Sequence, residues 1–290
     1  MSTVPEQQPL RFAYNTNGFT FHRLDDVITI LSGLGYDGIA LTLDWQHLDP
    51  LTASRADIEK IRARLVEANL AVSIETGAKY LLDPVQKQEP TLVSPERRAK
   101  RLEYLCRAID VAQALRAESV GFFSGRVDSG VEPARAMEWL IQGCKTLSTH
   151  AESAGVHLAI EPEPGMLTGT LEAGVRLIEA VGSPALGMTV DIGHVRCSDP
   201  IPEAEAIATY AQWTRAVHIE DIAGRAHAHL LFGEGDIVFE PILTALVQSG
   251  YSGLVSVELS RDSERAPDAA KMSLEFLRRT AAGVCASMGT

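Results

Sequence analysis

The sequence predicts a single-domain (β/α)8 barrel, and three observations lead there. Eight short apolar runs alternate with eight longer segments of helical pattern. The runs are apolar at nearly every position, as strands buried on both faces of a parallel sheet must be. No composition break divides the 290 residues, and α/β barrels of about 250 residues commonly form one domain. Residues 1–290 are therefore read as one unit, with 1–10 and 283–290 as loose tails. The competing open, doubly wound sheet would carry G-x-G-x-x-G after its first strand. Residues 14–21 (YNTNGFTF) contain no such fingerprint.

In chain order, the predicted strands are Arg11–Asn15, Gly38–Thr42, Ala71–Glu75, Ser119–Phe123, His157–Glu161, Gly187–Asp191, Ala216–Ile219 and Leu254–Glu258. The predicted helices cover 23–34, 55–69, 95–115, 132–154, 170–181, 202–213, 239–249 and 267–281. Ser54 with Asp57 reads as a capping pair, and Ser94–Pro95 as a cap followed by proline in the first turn. Gly155 and Gly250 stand where helices should stop. The stretch 79–95 is too long for a routine turn and reads either as an active-site cover or as a mobile loop. Residues 233–236 (GEGD) do not open a helix as a phosphate-binding loop would, so they read as a tight turn.

Charge narrows the partners. Lys and Arg total 26 against 38 Asp and Glu, a formal charge of −12. Such a chain repels a phosphate backbone, so no nucleic-acid partner and no anionic membrane surface are expected. Cys106, Cys144, Cys197 and Cys285 form no C-x-x-C pair and read as reduced thiols. Residues 1–10 lack the cationic and apolar regions of a signal peptide, and a cytoplasmic location is expected.

In a barrel of this kind the chemistry sits at the C-terminal ends of the strands. The last four predicted strands deliver Glu161, Asp191, His218 and Glu258 there. An ionised carboxylate ending an apolar strand is expensive to bury without a partner. Four such groups converging are most simply explained by one divalent cation. Three carboxylates and an imidazole suit Mn²⁺ best, with Mg²⁺, Co²⁺ or Zn²⁺ as alternatives. Each residue alone could instead be salt-bridged or cap a helix. For Glu75, which also ends a strand, a structural role is as good a reading as a functional one.

The segments HLAIEPEPG (157–165), TVDIGH (189–194), AVHIED (216–221), HLLFGEGDIVF (229–239) and GYSGLVSVEL (250–259) resemble the xylose-isomerase-like TIM-barrel superfamily of sugar isomerases and epimerases. The resemblance implies that Glu161, Asp191, His218 and Glu258 carry the metal and that Glu161 and Glu258 are catalytic. It further implies that His194 contacts substrate, with Glu163, Arg225 and His229 as substrate neighbours. The endonuclease branch of that superfamily holds three metals and has further histidines on its second to fourth strands. Here Glu75, Ser124 and Gly125 stand at the third and fourth, and His227–Ala228–His229 replaces an Asp-x-His pair. A single-metal site is expected, and an apurinic-endonuclease-like phosphodiesterase is disfavoured.

The implied activity is divalent-metal-dependent epimerisation or isomerisation of a sugar or keto-sugar. Abstraction of a proton would give a metal-stabilised enediolate, and return of the proton would complete the reaction. A keto-cyclitol (inosose-type) dehydratase on the same site is the alternative. The expected partners are a small sugar or polyol and a second copy of the chain in a homo-oligomer. No dense Arg/Lys cluster marks the site in the sequence, which favours an uncharged sugar. Trp45 and His47 are candidates for the pocket mouth. Tyr14, Asn15 and Asn17 could meet substrate hydroxyls or serve turn chemistry.

Overall fold

A computed structural model describes residues 10–288. Eight strands close into an all-parallel barrel in sequence order: β1 (Arg11–Asn15), β2 (Gly38–Thr42), β3 (Ala71–Glu75), β4 (Val120–Phe123), β5 (Leu158–Glu161), β6 (Leu186–Asp191), β7 (Thr214–Ile219) and β8 (Leu254–Val257). β8 closes on β1, with Phe12 opposite Val255 and Tyr14 opposite Val257. All positions of β2, β4, β5, β6 and β8 are buried. Interior and helix-facing side chains are both shielded, which is why these strands lack polar alternation.

The helices are α1 (Leu24–Leu34), α2 (Arg55–Glu67), α3 (Arg98–Leu115), α4 (Pro133–Ala154), α5 (Leu171–Val181), α6 (Ile192–Ser198), α7 (Glu203–Tyr210), α8 (Phe239–Gln248) and α9 (Ala266–Met288). Ser54 and Asp57 form a reciprocal capping box at α2. Gly155 ends α4 at φ +66° in the left-handed region that glycine enters without strain. Three expectations are corrected. α3 begins at Arg98 rather than at 95, because the Ser94 hydroxyl is engaged by the Thr91 amide (2.7 Å) and the Glu89 carboxylate instead of capping a helix. The final helix runs to Met288, so 283–288 are helical rather than a loose tail; residues 1–9 and 289–290 lie outside the described residues. The short α6 was not expected. Asp191 caps it by accepting the His194 amide at 2.7 Å.

No helix among the described residues is long and apolar enough to cross a membrane.

Candidate active site and metal centre

A cavity of about 550 Å³ opens where the strands end. Glu75, Glu161, His218 and Glu258 reach it from β3, β5, β7 and the end of β8, joined by Asn15, Asn17, Glu163 and three histidines. Glu161, Asp191, His218 and Glu258 each offer a ligand atom, all within 4.8 Å of one another. His218 Nδ1 lies 3.1 Å from Glu258 Oε2, 3.2 Å from Glu161 Oε1 and 3.9 Å from Asp191 Oδ2. Its other nitrogen, Nε2, is 3.2 Å from Glu75 Oε1. With Nε2–H donated to Glu75, the Nδ1 lone pair of neutral His218 faces the three carboxylates. A carboxylate behind the imidazole fixes tautomer and ring angle in the same way at many metal sites.

The donor set fits a divalent cation. Asp191 Oδ2 is buried without a hydrogen-bond partner, while Oδ1 caps α6. Glu220, fully buried, has no hydrogen-bond partner for either carboxylate oxygen among the described residues, and its Oε2 lies 4.0 Å from His229 Nδ1. Burial first, with neighbouring carboxylates adding to it and His218 opposing it, pushes Glu161 and Glu220 well above the usual carboxylate range. Burial and neighbouring carboxylates also raise Glu163 to about 8. His218 is raised because Glu75 and Glu161 outweigh the cost of burying its charge. Asp191 and Glu258 are instead held low: histidine charges, together with the His218 hydrogen bond for Glu258, overcome burial. So much mutual repulsion is what a bound divalent ion relieves.

The structure brings His194 and His229 to this cavity, with Glu163 half-buried at its side. His227 joins them: its Nε2 is 3.0 Å from His194 Nε2 and 3.2 Å from His229 Nε2. This trio is a second group with metal-compatible spacing. His229 Nδ1–H donates to the Glu258 carbonyl at 3.0 Å, which leaves its Nε2 as an acceptor. Burial lowers His194 to about 4, and His227 is lowered by burial and by His229.

Other expectations change. Arg225 does not line the cavity; its guanidinium donates to the carbonyls of Cys197 and Asp199 and ties the end of α6 to the loop after β7. Trp45 and His47 border a separate cavity of about 430 Å³, where His47 is buried against Asp44. Tyr14 is fully buried and absent from the site, whereas Asn15 and Asn17 line it. Asn17 Nδ2 donates to Glu258 Oε1 at 2.7 Å and orients that carboxylate. The GEGD segment is a turn held by Asp221, whose Oδ2 accepts from the amides of Gly233 (2.8 Å) and Gly235 (3.0 Å).

The 79–95 segment contributes Lys79, Lys87, Gln88 and Glu89 to the cavity wall. It is fastened down. Arg101 of α3 is buried, and its guanidinium donates to the carbonyls of Pro90 (2.8 Å), Gln88 (2.6 Å) and Thr76 (3.3 Å). Asp83 accepts from Arg97 and from the amides of Val85 and Gln86. Sequence reasoning missed Glu220, Arg101 and the joining of His227 to the site. Glu220 had one available signal, its place two residues beyond His218 in AVHIED.

The chain matches the family described as xylose isomerase-like TIM barrel over residues 28–280 and belongs to it. It is 31% identical over 138 residues to an uncharacterized protein of Methanocaldococcus jannaschii, a match spanning 46% of this chain and only 47% of that protein. It is 25% identical over 240 residues to fructoselysine 3-epimerase of Shigella flexneri, covering 79% of this chain and 82% of that enzyme. Among solved structures, L-ribulose 3-epimerase superposes with a TM-score of 0.80 at 19% identity, covering 97% of each chain.

Proposed function

We propose that this protein is a divalent-metal-dependent epimerase or isomerase of a keto-sugar. The observation that carries the reading is the convergence of Glu161, Asp191, His218 and Glu258, whose ligand atoms lie within 4.8 Å of one another; Glu161, His218 and Glu258 line the cavity. The epimerase relative, similar along most of both chains, supports the sugar class. Those four residues would hold the cation, and Mn²⁺ suits them best. A bound divalent ion supplies Lewis acidity to the substrate's carbonyl and hydroxyl oxygens.

The chain's own residues do the rest. Glu161 and Glu258 enter the cavity from β5 and the end of β8, so a sugar between them meets a carboxylate from either strand. One removes the proton beside the carbonyl. The other returns a proton, to the opposite face of the same carbon for epimerisation or to the neighbouring carbon for isomerisation. Positioned acid–base groups of this type contribute about 10²–10⁴-fold. Asn17 holds Glu258 in place. His194, buried and held down to about 4, stays neutral at physiological pH and can hydrogen-bond a substrate oxygen.

The test is hydrogen exchange. Protein supplied with Mn²⁺ should wash deuterium from D₂O into the α-carbon of a turned-over ketose, and Glu258→Gln should abolish it. Full exchange in the Gln variant removes Glu258 from proton transfer. Loss of 18 mass units from the product would assign a dehydratase instead.

A further inference from the structure

Four cationic side chains line the cavity: Lys79, Lys87, Arg126 and Arg261. They come from three separate loops, following β3, β4 and β8. None makes an ion pair or a side-chain hydrogen bond among the described residues. Elsewhere many cations find acceptors, as Arg97 does on Asp83 and Arg265 on Asp262, and those that do not, such as Arg55 and Lys145, are exposed to solvent. The overall charge is −12, so carboxylates are plentiful and unpaired cations gathered in one cavity need a reason.

The metal-ligand carboxylates pair with His218 and with none of these four cations, although Glu258 lies near enough to act on the Lys79 charge. Glu89 also lines the cavity, but its carboxylate accepts from the Thr91 amide and the Ser94 hydroxyl and pairs with none of the four cations. Lys79 is half-buried; burial first, then the nearby charges of Lys87 and Arg261, lower its pKa, and Glu258 and Asp44 oppose that fall. The Tyr80 amide donates to the Lys87 carbonyl at 2.7 Å, which holds the two lysine-bearing stretches side by side. Arg101 clamps the same segment to the barrel, so the placement is built into the fold. Carboxylates line the same cavity, but four cations held there without a hydrogen bond or ion pair of their own remain free to receive an anion.

We propose that the sugar handled here carries an anionic group, a phosphate monoester or a carboxylate, and that Lys79, Lys87, Arg126 and Arg261 bind it at the mouth of the cavity while the carbonyl end meets the metal ligands. This runs against the expectation of an uncharged sugar drawn from the sequence, and it rests on the keto-sugar reading above. The four residues make no hydrogen bond or ion pair with Glu161 or Glu258. They act on binding, and they set which sugars are accepted.

The experiment has two arms. In the first, deuterium exchange in Mn²⁺-supplied protein is measured on ketopentose and ketohexose phosphates, on keto-uronates and on the free ketoses. The anionic substrates should show KM at least 10-fold lower than their uncharged counterparts. Lys79→Met with Arg261→Met should raise KM for the anionic sugar 10-fold or more and leave its kcat within a few-fold. A preference for phosphate over uronate, or the reverse, identifies the anion. Free ketoses turned over as well as charged ones would overturn the proposal and spare the epimerase reading. In the second arm, binding of inorganic phosphate to the wild-type protein is measured by calorimetry against the same double variant. Weaker binding in the variant supports the subsite even if no ketose exchanges, an outcome that sinks the epimerase reading alone. Equal binding in both overturns the subsite.

Discussion

The most informative perturbation lies behind the metal ligands. Glu75 touches none of the other ligands; it accepts from His218 Nε2 at 3.2 Å and thereby keeps the Nδ1 lone pair aimed at Glu161, Glu258 and Asp191. Removing the outer partner of a ligating histidine typically costs 10–100-fold in metal affinity, or about 1.4–2.7 kcal/mol at 1.36 kcal/mol per decade. Glu75→Ala should fall in that range. Glu75→Gln keeps an acceptor and loses the charge; charged hydrogen bonds are roughly twice as strong as neutral ones, so about half of that free energy, ~3–10-fold in affinity, should go. The structure supplies an independent route to the same state. Gly121 on β4 faces Glu75, and a Cβ there would overlap its carboxylate, so Gly121→Ala should displace Glu75 and weaken metal binding in parallel. Calorimetric titration of Mn²⁺ into chelator-treated protein gives the affinities, and circular dichroism verifies the fold. Wild-type affinity in folded Glu75→Ala would refute the argument that Glu75 sets the His218 tautomer.

Three further outcomes follow from the same geometry. Because His218 and Glu161 are raised well above their ordinary values in the metal-free site, loading the metal at pH 7 must expel protons; the binding heat should vary with buffer ionisation enthalpy by about one proton or more per ion, and a heat independent of buffer would contradict this. Glu163, raised to about 8 by burial and by Glu258 and Asp191, binds its proton more tightly folded than unfolded. Its contribution to metal-free stability is therefore full below about pH 4.5 and lost as pH rises towards 8; denaturant melts with chelator should show that fall, and Glu163→Gln should flatten it. Arg101→Met strands the carbonyls of Thr76, Gln88 and Pro90, each costing up to about 1–3 kcal/mol when left unpaired. The variant should melt lower and be cut by protease within 79–95, and Arg101→Lys should rescue little because a lysine cannot span three acceptors. Unchanged cleavage would show that Arg101 does not fasten the segment.

Much of this was legible in the sequence because barrel strands are marked by continuous apolarity and their ends by the polar residue that follows. Glu161, Asp191 and His218 are found that way, each at or next to the end of a strand, and Glu258 follows directly on Val257. What was not legible depends on contacts far apart in the chain. Arg101 serves backbone carbonyls, which carry no residue-type signal. The four cavity cations are scattered over loops after β3, β4 and β8, so no cluster shows in the sequence. Arg225 had the right position and the wrong direction, its guanidinium drawn to the carbonyls at the end of α6. α6 itself is seven residues long, too short for helical periodicity to register, and Asp191 has the double duty of capping it and facing the metal ligands.

The central claim is that one cation sits among four side chains, and an anomalous difference map from manganese-soaked crystals tests it most directly. The account predicts a single strong peak bounded by Glu161, Asp191, His218 and Glu258, lost in Asp191→Asn. A peak held instead by His194, His227 and His229, or no peak at saturating Mn²⁺, would contradict it.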